Sequence, residues 1–435
     1  MKILVIGNGF DLALGLPTKY TDFLNFTKIM SFTYNQTSYT NNTSIIQCLS
    51  TLKRRIQDLP NAEIKNEIDS LLPFFMKFEE AFKCDAINRV FKDFHYCIYK
   101  NSWLNYFQHR YDEKLFVGEN WIDFEREIKL VIQLLEDNLF EIQEAKLTDV
   151  EINALNNLDL LGLTNLLRKN RENNSKYRMT TEGYNLLRGK LRNDFDKFLM
   201  ALGIYLDFFV KKYKSESKVS RDIYRMVHND KEKVDCVLSF NYINNFNLKY
   251  SGELQSDENT CYIHGMVDYD GELKRCLNAY GNIDDSVLSI DSLIRKNTMI
   301  IGVDEYLNDE ERNEFLDFVY YRKYFQRISK GTGSQYLEWL DKYKTNKENM
   351  PDGIHSKANH VVVFGHSLDV TDKDIFRDLM LREPNDTKVT IYYHDEDAHE
   401  RIIENLIRIL TQEVLIKKTH GSNPDIEFKM QSDWD

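Results

Sequence analysis

Proline and glycine are scarce over most of this chain. The six prolines stand at Pro17, Pro60, Pro73, Pro351, Pro384 and Pro424, so residues 74–350 contain none, and no glycine lies between Gly15 and Gly118. Stretches without these breakers permit long helices. Cysteine is sparse as well: there are six, with no C-x-x-C pair, and the closest two, Cys84 and Cys97, are thirteen residues apart. That spacing signals neither a zinc knuckle nor a redox dithiol, and it reads as reduced thiols in a cytosolic protein. Positive charge is in deficit, with a formal net charge of -12 at pH 7. This disfavours a general binder of nucleic acid or of anionic membranes. The local basic clusters Lys53-Arg54-Arg55, Lys211-Lys212 and Arg322-Lys323 read as solvated helix faces. No apolar run approaches a bilayer-spanning length, and the first one is too short for a signal-peptide core. The expectation is a soluble cytoplasmic protein without a membrane partner.

What the chain does have begins at its first residues. The run Ile3-Leu4-Val5-Ile6 is continuously apolar and stops at Gly7, the pattern of a strand buried on both faces. Gly7 and Gly9 follow where the backbone must turn into a helix. Glycines at such a corner let a phosphate approach main-chain N-H groups, aided by the helix N-terminus. The standard dinucleotide fingerprint asks for a third glycine where this chain has Leu12.

Helical periods dominate the middle. Trp121, Phe124, Ile128, Val131, Leu135, Leu139 and Ile142 recur at three and four, as do Phe195, Phe198, Leu199, Leu202, Leu206, Phe209 and Val210. Thr18 is placed to cap a helix with Tyr20, Phe23, Leu24 and Met30 inward, while residues 31–45 and 168–182 read as loops. From Val234 short apolar runs return at intervals: Cys236 to Phe240, Cys261 to Ile263, Met299 to Ile301, His360 to Phe364 and Val389 to Tyr393. Helical patterns at Ile375 to Leu381 and Ala398 to Leu410 separate several of them. The expected fold is α/β, a doubly wound, mostly parallel Rossmann-like sheet interrupted by a large helical insertion. Its expected parts are residues 1–30 (first strand, nucleotide loop and helix), 31–230 (helical insertion) and 231–435 (the remainder of the α/β domain).

Ligands of open parallel sheets bind beyond the carboxyl ends of the strands. Those ends here read Gly7-Asn8-Gly9-Phe10-Asp11, Ser239-Phe240-Asn241-Tyr242, His264-Gly265, Gly302-Val303-Asp304-Glu305 and Gly365-His366-Ser367-Leu368-Asp369. Gly7-x-Gly9 followed by Gly15-Leu16-Pro17 resembles the opening motif of sirtuins. Asn241 falls where sirtuins carry the asparagine of T-Q-N-I-D, His264-Gly265 resembles their catalytic H-G, and Gly365-His366-Ser367-Leu368 resembles their G-T-S-L. The wording GNGFDLALGLPTKYTDFL, NWIDFE, LSFNY, IHG, GVDE and FGHSLDVTD is similar, in order along the chain, to the bacteriophage abortive-infection AbiH family. Departures from sirtuins are Tyr20 in place of an arginine, Ile243 in place of an aspartate, and the missing zinc cysteines. Protein deacylation is therefore not implied, and the nucleotide-handling half remains.

The resemblances imply NAD as substrate or ligand, with Gly7, Asn8, Gly9, Phe10, Asp11, Pro17, Gly365, His366 and Ser367 at the nucleotide and Asn241 and His264 catalytic. The residue chemistry agrees in outline. Cleaving the bond between nicotinamide and ribose needs a held pyrophosphate, an oriented ribose and a base or placed water. Asn241 offers both ends of an amide, and His264 is the natural base. Asp11 suits a ribose hydroxyl. The plainer readings are turn chemistry for Asn8 and Asn241 and a structural role for a lone histidine. Asp123 reads as a helix cap and Asp372 and Asp374 likewise; Glu125 is kept as a contributor from the helical block. The acidic run from Asp304 to Glu314 reads as a solvated helix start. No set of side chains has metal-ligand spacing, so no metal is expected. The functional alternatives are an NAD-consuming hydrolase of abortive infection, set off by a phage-derived or host trigger protein, and a module that senses NAD or ADP-ribose and signals through its helices. A nuclease is disfavoured by net acidity, and self-association is left open.

Overall fold

The computed structural model describes residues 1–37, 52–114, 123–136, 156, 159–162, 181–215, 223, 234–250, 259–281, 283, 285–303, 318–348, 359–382 and 386–431. Among these, six strands form one all-parallel sheet: β1 Lys2–Ile6, β2 Cys236–Ser239, β3 Thr260–Tyr262, β4 His360–Phe364, β5 Lys388–Tyr393 and β6 Ile426–Met430. Their order is β3-β2-β1-β4-β5-β6, with Leu4 of β1 level with Val237 on one side and Val362 on the other. The chain thus builds outward from β1 to β3, then starts again beside β1 and builds the other way. In open parallel sheets, ligands bind at such a reversal, outside the carboxyl ends of the strands.

Side chains alternate between the two faces of a strand, and here both faces are covered. Leu4, Ile6, Val237, Val362 and Phe364 join one core with the helices between β1 and β2. Ile3, Val5, Leu238, Val361 and Val363 join another with Trp339, Phe376, Leu379 and Leu406. Continuous burial explains why the first run is apolar without alternation.

The helices used below are α1 Asn8–Ala13, α2 Tyr20–Thr37, α3 Phe124–Glu136, α4 Thr181–Ile204, α5 Asn245–Tyr250, α6 Lys323–Lys330, α7 Lys373–Leu381 and α8 Glu396–Leu410. Aromatic rings hold the helical side together. The Phe26 ring meets Phe75, Phe78, Phe94, Tyr205 and Phe209 at centroid distances of 4.7 to 5.7 Å. Such pairs add to the burial of large apolar surfaces.

Four expectations are corrected. Residues 31–37 continue α2 instead of forming a loop. Thr18 does not cap that helix: its hydroxyl is buried with no hydrogen bond among the described residues, and Asp22 accepts from the Lys19 amide instead. Met299 to Ile301 is not a strand of the sheet; it is apolar because it is buried, and the Ile300 amide donates to His264 O below the site. The sixth strand was missed because it is half exposed at the sheet edge, where Glu427 and Lys429 alternate with Ile426 and Phe428. Trp121, Cys48 and the acidic run Asp304 to Glu314 lie outside the described residues.

Candidate functional site

At the reversal of the sheet the glycine corner is closed by backbone. The Gly7 amide donates to Phe364 O at 3.2 Å and the Gly9 amide to Gly365 O at 2.8 Å. A Cβ on Gly9 would stand 2.6 Å from Gly365 Cα, and one on Gly365, whose φ is +65, only 2.3 Å from the Phe10 nitrogen. These glycines are needed so that the loops after β1 and β4 can touch. Both amides that were expected at a phosphate thus already have backbone acceptors. The Phe10 ring is wholly buried against Phe246, Tyr250 and Phe364. Asp11 is buried with one carboxylate oxygen 2.9 Å from the Asn245 side-chain amide. Burial pushes its carboxyl up to about 7, against the hydrogen bond from Asn245. The Pro17 carbonyl accepts from the Tyr205 hydroxyl, Asn8 is exposed, and the exposed Ser367 accepts at its carbonyl from Asn405.

Beside this corner the loops after β2, β3 and β4 converge. The His366 ring lies 4.1 Å from that of Phe240, tilted by 55°, and Phe240 stands edge-on to His264 at 5.4 Å. Both histidines turn to one carboxylate. His264 Nε2 lies 3.0 Å from Asp372 Oδ1, and His366 Nε2 lies 3.8 Å from Asp372 Oδ2. Asp372 ends a short 3-10 turn, Val370–Asp372, just ahead of α7. Lys323, the first residue of α6 and only 1% exposed, places its Nζ 3.3 Å from Asp372 Oδ1, 3.1 Å from the Thr371 hydroxyl and 3.0 Å from Glu125 Oε2. Arg327, one turn further along α6, has Nη2 4.0 Å from Asp372 Oδ1. From the helical side α3 supplies Glu125 and, at its head, Asp123, whose Oδ1 accepts from the Glu125 amide at 2.9 Å. Asn241, 5% exposed, has a buried amide nitrogen with no hydrogen-bond partner among the described residues.

The charges of this cluster are set by its partners. Burial alone would raise the Asp372 carboxyl, yet the Lys323 ammonium and then His264 hold it well below the usual carboxylate range. Burial opposes the Lys323 charge too, and Asp372 and Glu125 more than reverse that, holding the ammonium above its ordinary value. Burial drives His264 down to about 4 against the pull of Asp372, and drives His366 down to about 4 as well. Glu125 is raised, chiefly by burial, against the attraction of Lys323. At neutral pH the arrangement is therefore a neutral histidine pair on an ionised aspartate, compensated by a buried lysine.

The structure brings His264, His366 and Glu125 into this one cluster, and Asn241 leaves the neighbouring strand end. Two residues were missed. Asp372 is not merely a cap, since its carboxylate is buried between His264 and Lys323. Lys323 is not on a solvated face. The only sequence signal for either was Asp372 lying three residues beyond the Gly365-His366-Ser367-Leu368-Asp369 strand end. Among the described residues there is no group of side chains able to hold a metal ion, and no helix is long and apolar enough to cross a membrane.

Neither a curated protein nor a solved structure is similar enough to the chain to match it. A family model does: that of bacteriophage abortive infection AbiH covers residues 3–393 of the 435, and the chain belongs to that family.

Proposed function

We propose that this is an abortive-infection protein of anti-phage defence whose Rossmann-like, sirtuin-like sheet takes NAD or a related nucleotide at its carboxyl edge and hydrolyses the N-glycosidic bond. The observation that carries the reading is the convergence, at the reversal of a parallel sheet, of a buried neutral His264 held by Asp372 with an Asn241 amide nitrogen that has no partner among the described residues. A buried polar atom without a partner is costly, and a ligand hydroxyl or carbonyl would relieve it. In the reaction water attacks the anomeric carbon as the bond to nicotinamide breaks. The pyridinium nitrogen keeps the bonding electrons, so nicotinamide leaves neutral and no acid is needed. His264 takes the proton of the attacking water, and Asn241 orients a ribose hydroxyl or that water.

The test is nicotinamide release from NAD by the purified protein, followed by chromatography, with and without phage lysate as trigger. Asn241→Ala and His264→Ala are each expected to lower turnover at least 100-fold, roughly the contribution of one general base. A second reading is favoured by the Glu125–Lys323 link from the helices to the sheet: a sensor that binds NAD or ADP-ribose and turns nothing over. Tight ADP-ribose binding by calorimetry, with no nicotinamide released under either condition, would decide for the sensor.

A further inference from the structure

A histidine acts as a base only through a nitrogen that carries no proton, and the hydrogen bond at its other nitrogen decides which one that is. His366 is settled by its neighbours: the Leu368 amide donates to its Nδ1 at 2.9 Å, so Nε2 carries the proton and points at Asp372. That ring is held on both sides and has no nitrogen left to accept. His264 differs, because its Nε2 meets Asp372 while Nδ1 forms no hydrogen bond among the described residues. The direction of the Nε2 bond depends on Asp372 being a carboxylate, and a carboxylate this deeply buried stays ionised only beside a cation. Lys323 is that cation, and it is itself shared with Glu125 of α3.

We propose that Lys323 is the positioning residue of this site: clamped between Glu125 and Asp372, it keeps Asp372 an acceptor, so that His264 holds its proton at Nε2 and presents Nδ1 as the accepting nitrogen. The assignment rests on the reading of His264 as the base. It gives α3 a part in the site, because Glu125 Oε2 holds the lysine nitrogen at 3.0 Å. The charged groups that bear on His264 are Asp372, after β4, and Lys323 and Arg327 on α6. From α3, Glu125 and, at its head, Asp123 interact with Lys323, and Asp369 bears on His366. Removing the lysine takes a cation from beside the imidazole and leaves Asp372 without its counter-ion, so the ring gains a proton more readily. Burial pushes the Glu125 carboxyl up to about 8, so it carries little charge where His264 titrates, and its removal leaves the affinity of the ring for a proton nearly unchanged.

The experiment is side-chain nitrogen-15 NMR of His264 in the intact protein between about pH 4 and pH 8, assigned with His264→Gln. The native protein is expected to show a protonated Nε2 and a bare Nδ1. In Lys323→Met the doubly protonated ring is expected to appear at a pH about one unit higher or more, the usual effect of one nearby charge. Lys323→Arg restores the native titration, and Glu125→Gln leaves it nearly unchanged with the same tautomer. An unshifted His264 in Lys323→Met, or a Lys323→Arg titration that matches Lys323→Met, overturns the proposal. Should Lys323→Met not fold, Asp372→Asn decides: the proton is expected to move to Nδ1, and a retained Nε2 proton overturns the assignment. The NAD reading fails separately, when no nicotinamide is released although the native tautomer and its dependence on Lys323 are present.

Discussion

Two buried carboxylates, each paired with a cation, have different surroundings, one saturated with hydrogen bonds and one shared by titratable rings. On the helical side Arg89 grips Asp93: its Nε lies 2.8 Å from both carboxylate oxygens, one terminal nitrogen donates to Ile283 O at 2.9 Å and the other to Leu288 O at 2.6 Å. The Tyr269 hydroxyl donates to Asp93 as well. Every direction of a fixed, planar charge is used, and it staples sequence neighbours 194 residues apart. At the sheet edge the cation is a lysine, a point charge, and its carboxylate is shared by two titratable rings. A cluster that, among the described residues, leaves a histidine nitrogen and an asparagine amide nitrogen unbonded is not optimised for stability. The lesson is that buried ion pairs are distinguished by what surrounds them, not by their burial.

The largest effect expected of breaking this contrast is at the saturated pair. Arg89→Met leaves Asp93 charged and buried and deprives two carbonyls of their donors, which should cost about 3–5 kcal/mol in urea unfolding. Nicotinamide release per folded molecule should not change. Lys323→Met is expected to cost less, about 1–3 kcal/mol near pH 7, because His264 still hydrogen-bonds the Asp372 carboxyl in the absence of the lysine. The pH dependence shows which group takes up a proton in each variant. In Lys323→Met the folded imidazole binds its proton more readily than in the native fold, where its value is about 4, so the penalty is full near neutral pH and shrinks as pH falls through the variant's raised value. In Arg89→Met the group that titrates is Asp93 itself, already raised by burial and now without the guanidinium that opposes this, so that penalty shrinks on acidification as well. Adding His264→Gln to Lys323→Met should change its pH dependence, and adding it to Arg89→Met should not; the opposite result would refute the contrast.

How much of this was readable beforehand follows the same division. Five of the six strands were visible because a strand covered on both faces is an uninterrupted apolar run, and β6 escaped because an edge strand alternates. His264, His366 and Asn241 were legible as polar residues at strand ends, where topology alone says that a ligand sits. Lys323 and Asp372 were not. An aspartate at a helix head and a lysine beside an arginine are usually a cap and a solvated face, and only tertiary packing turns them into buried partners. Arg89 was invisible for the same reason, since its acceptors come from the far half of the chain. Glycine was legible in part: Gly7 and Gly9 mark a sharp corner, but the sequence could not tell that the neighbour in close approach is the Gly365 backbone and not a phosphate.

Asp11 offers the mildest and cleanest extension, because it is a buried carboxylate with no cation in contact at all. Its hydrogen-bond partner is the neutral Asn245 amide, and burial pushes its carboxyl up to about 7. The folded state then holds a proton that the unfolded chain, with an ordinary carboxyl near 3.8, has released. Stability must fall as pH rises through the folded value, by about 1.4 kcal/mol between pH 6 and pH 8. His264 and His366 tilt the curve the other way: driven down to about 4 in the folded state, they make folding more favourable as the unfolded imidazoles lose their protons above pH 6. Glu125, raised to about 8, lowers stability with rising pH as Asp11 does, so the native curve sums several groups and only a difference isolates the Asp11 carboxyl. Asp11→Asn keeps the shape and an acceptor for Asn245 but cannot ionise. Its unfolding free energy, measured in urea at both pH values, should rise from pH 6 to pH 8 by about 1.4 kcal/mol relative to the native chain. A parallel pair of curves would mean that Asp11 is already ionised in the fold, and that a buried carboxylate here needs no cation.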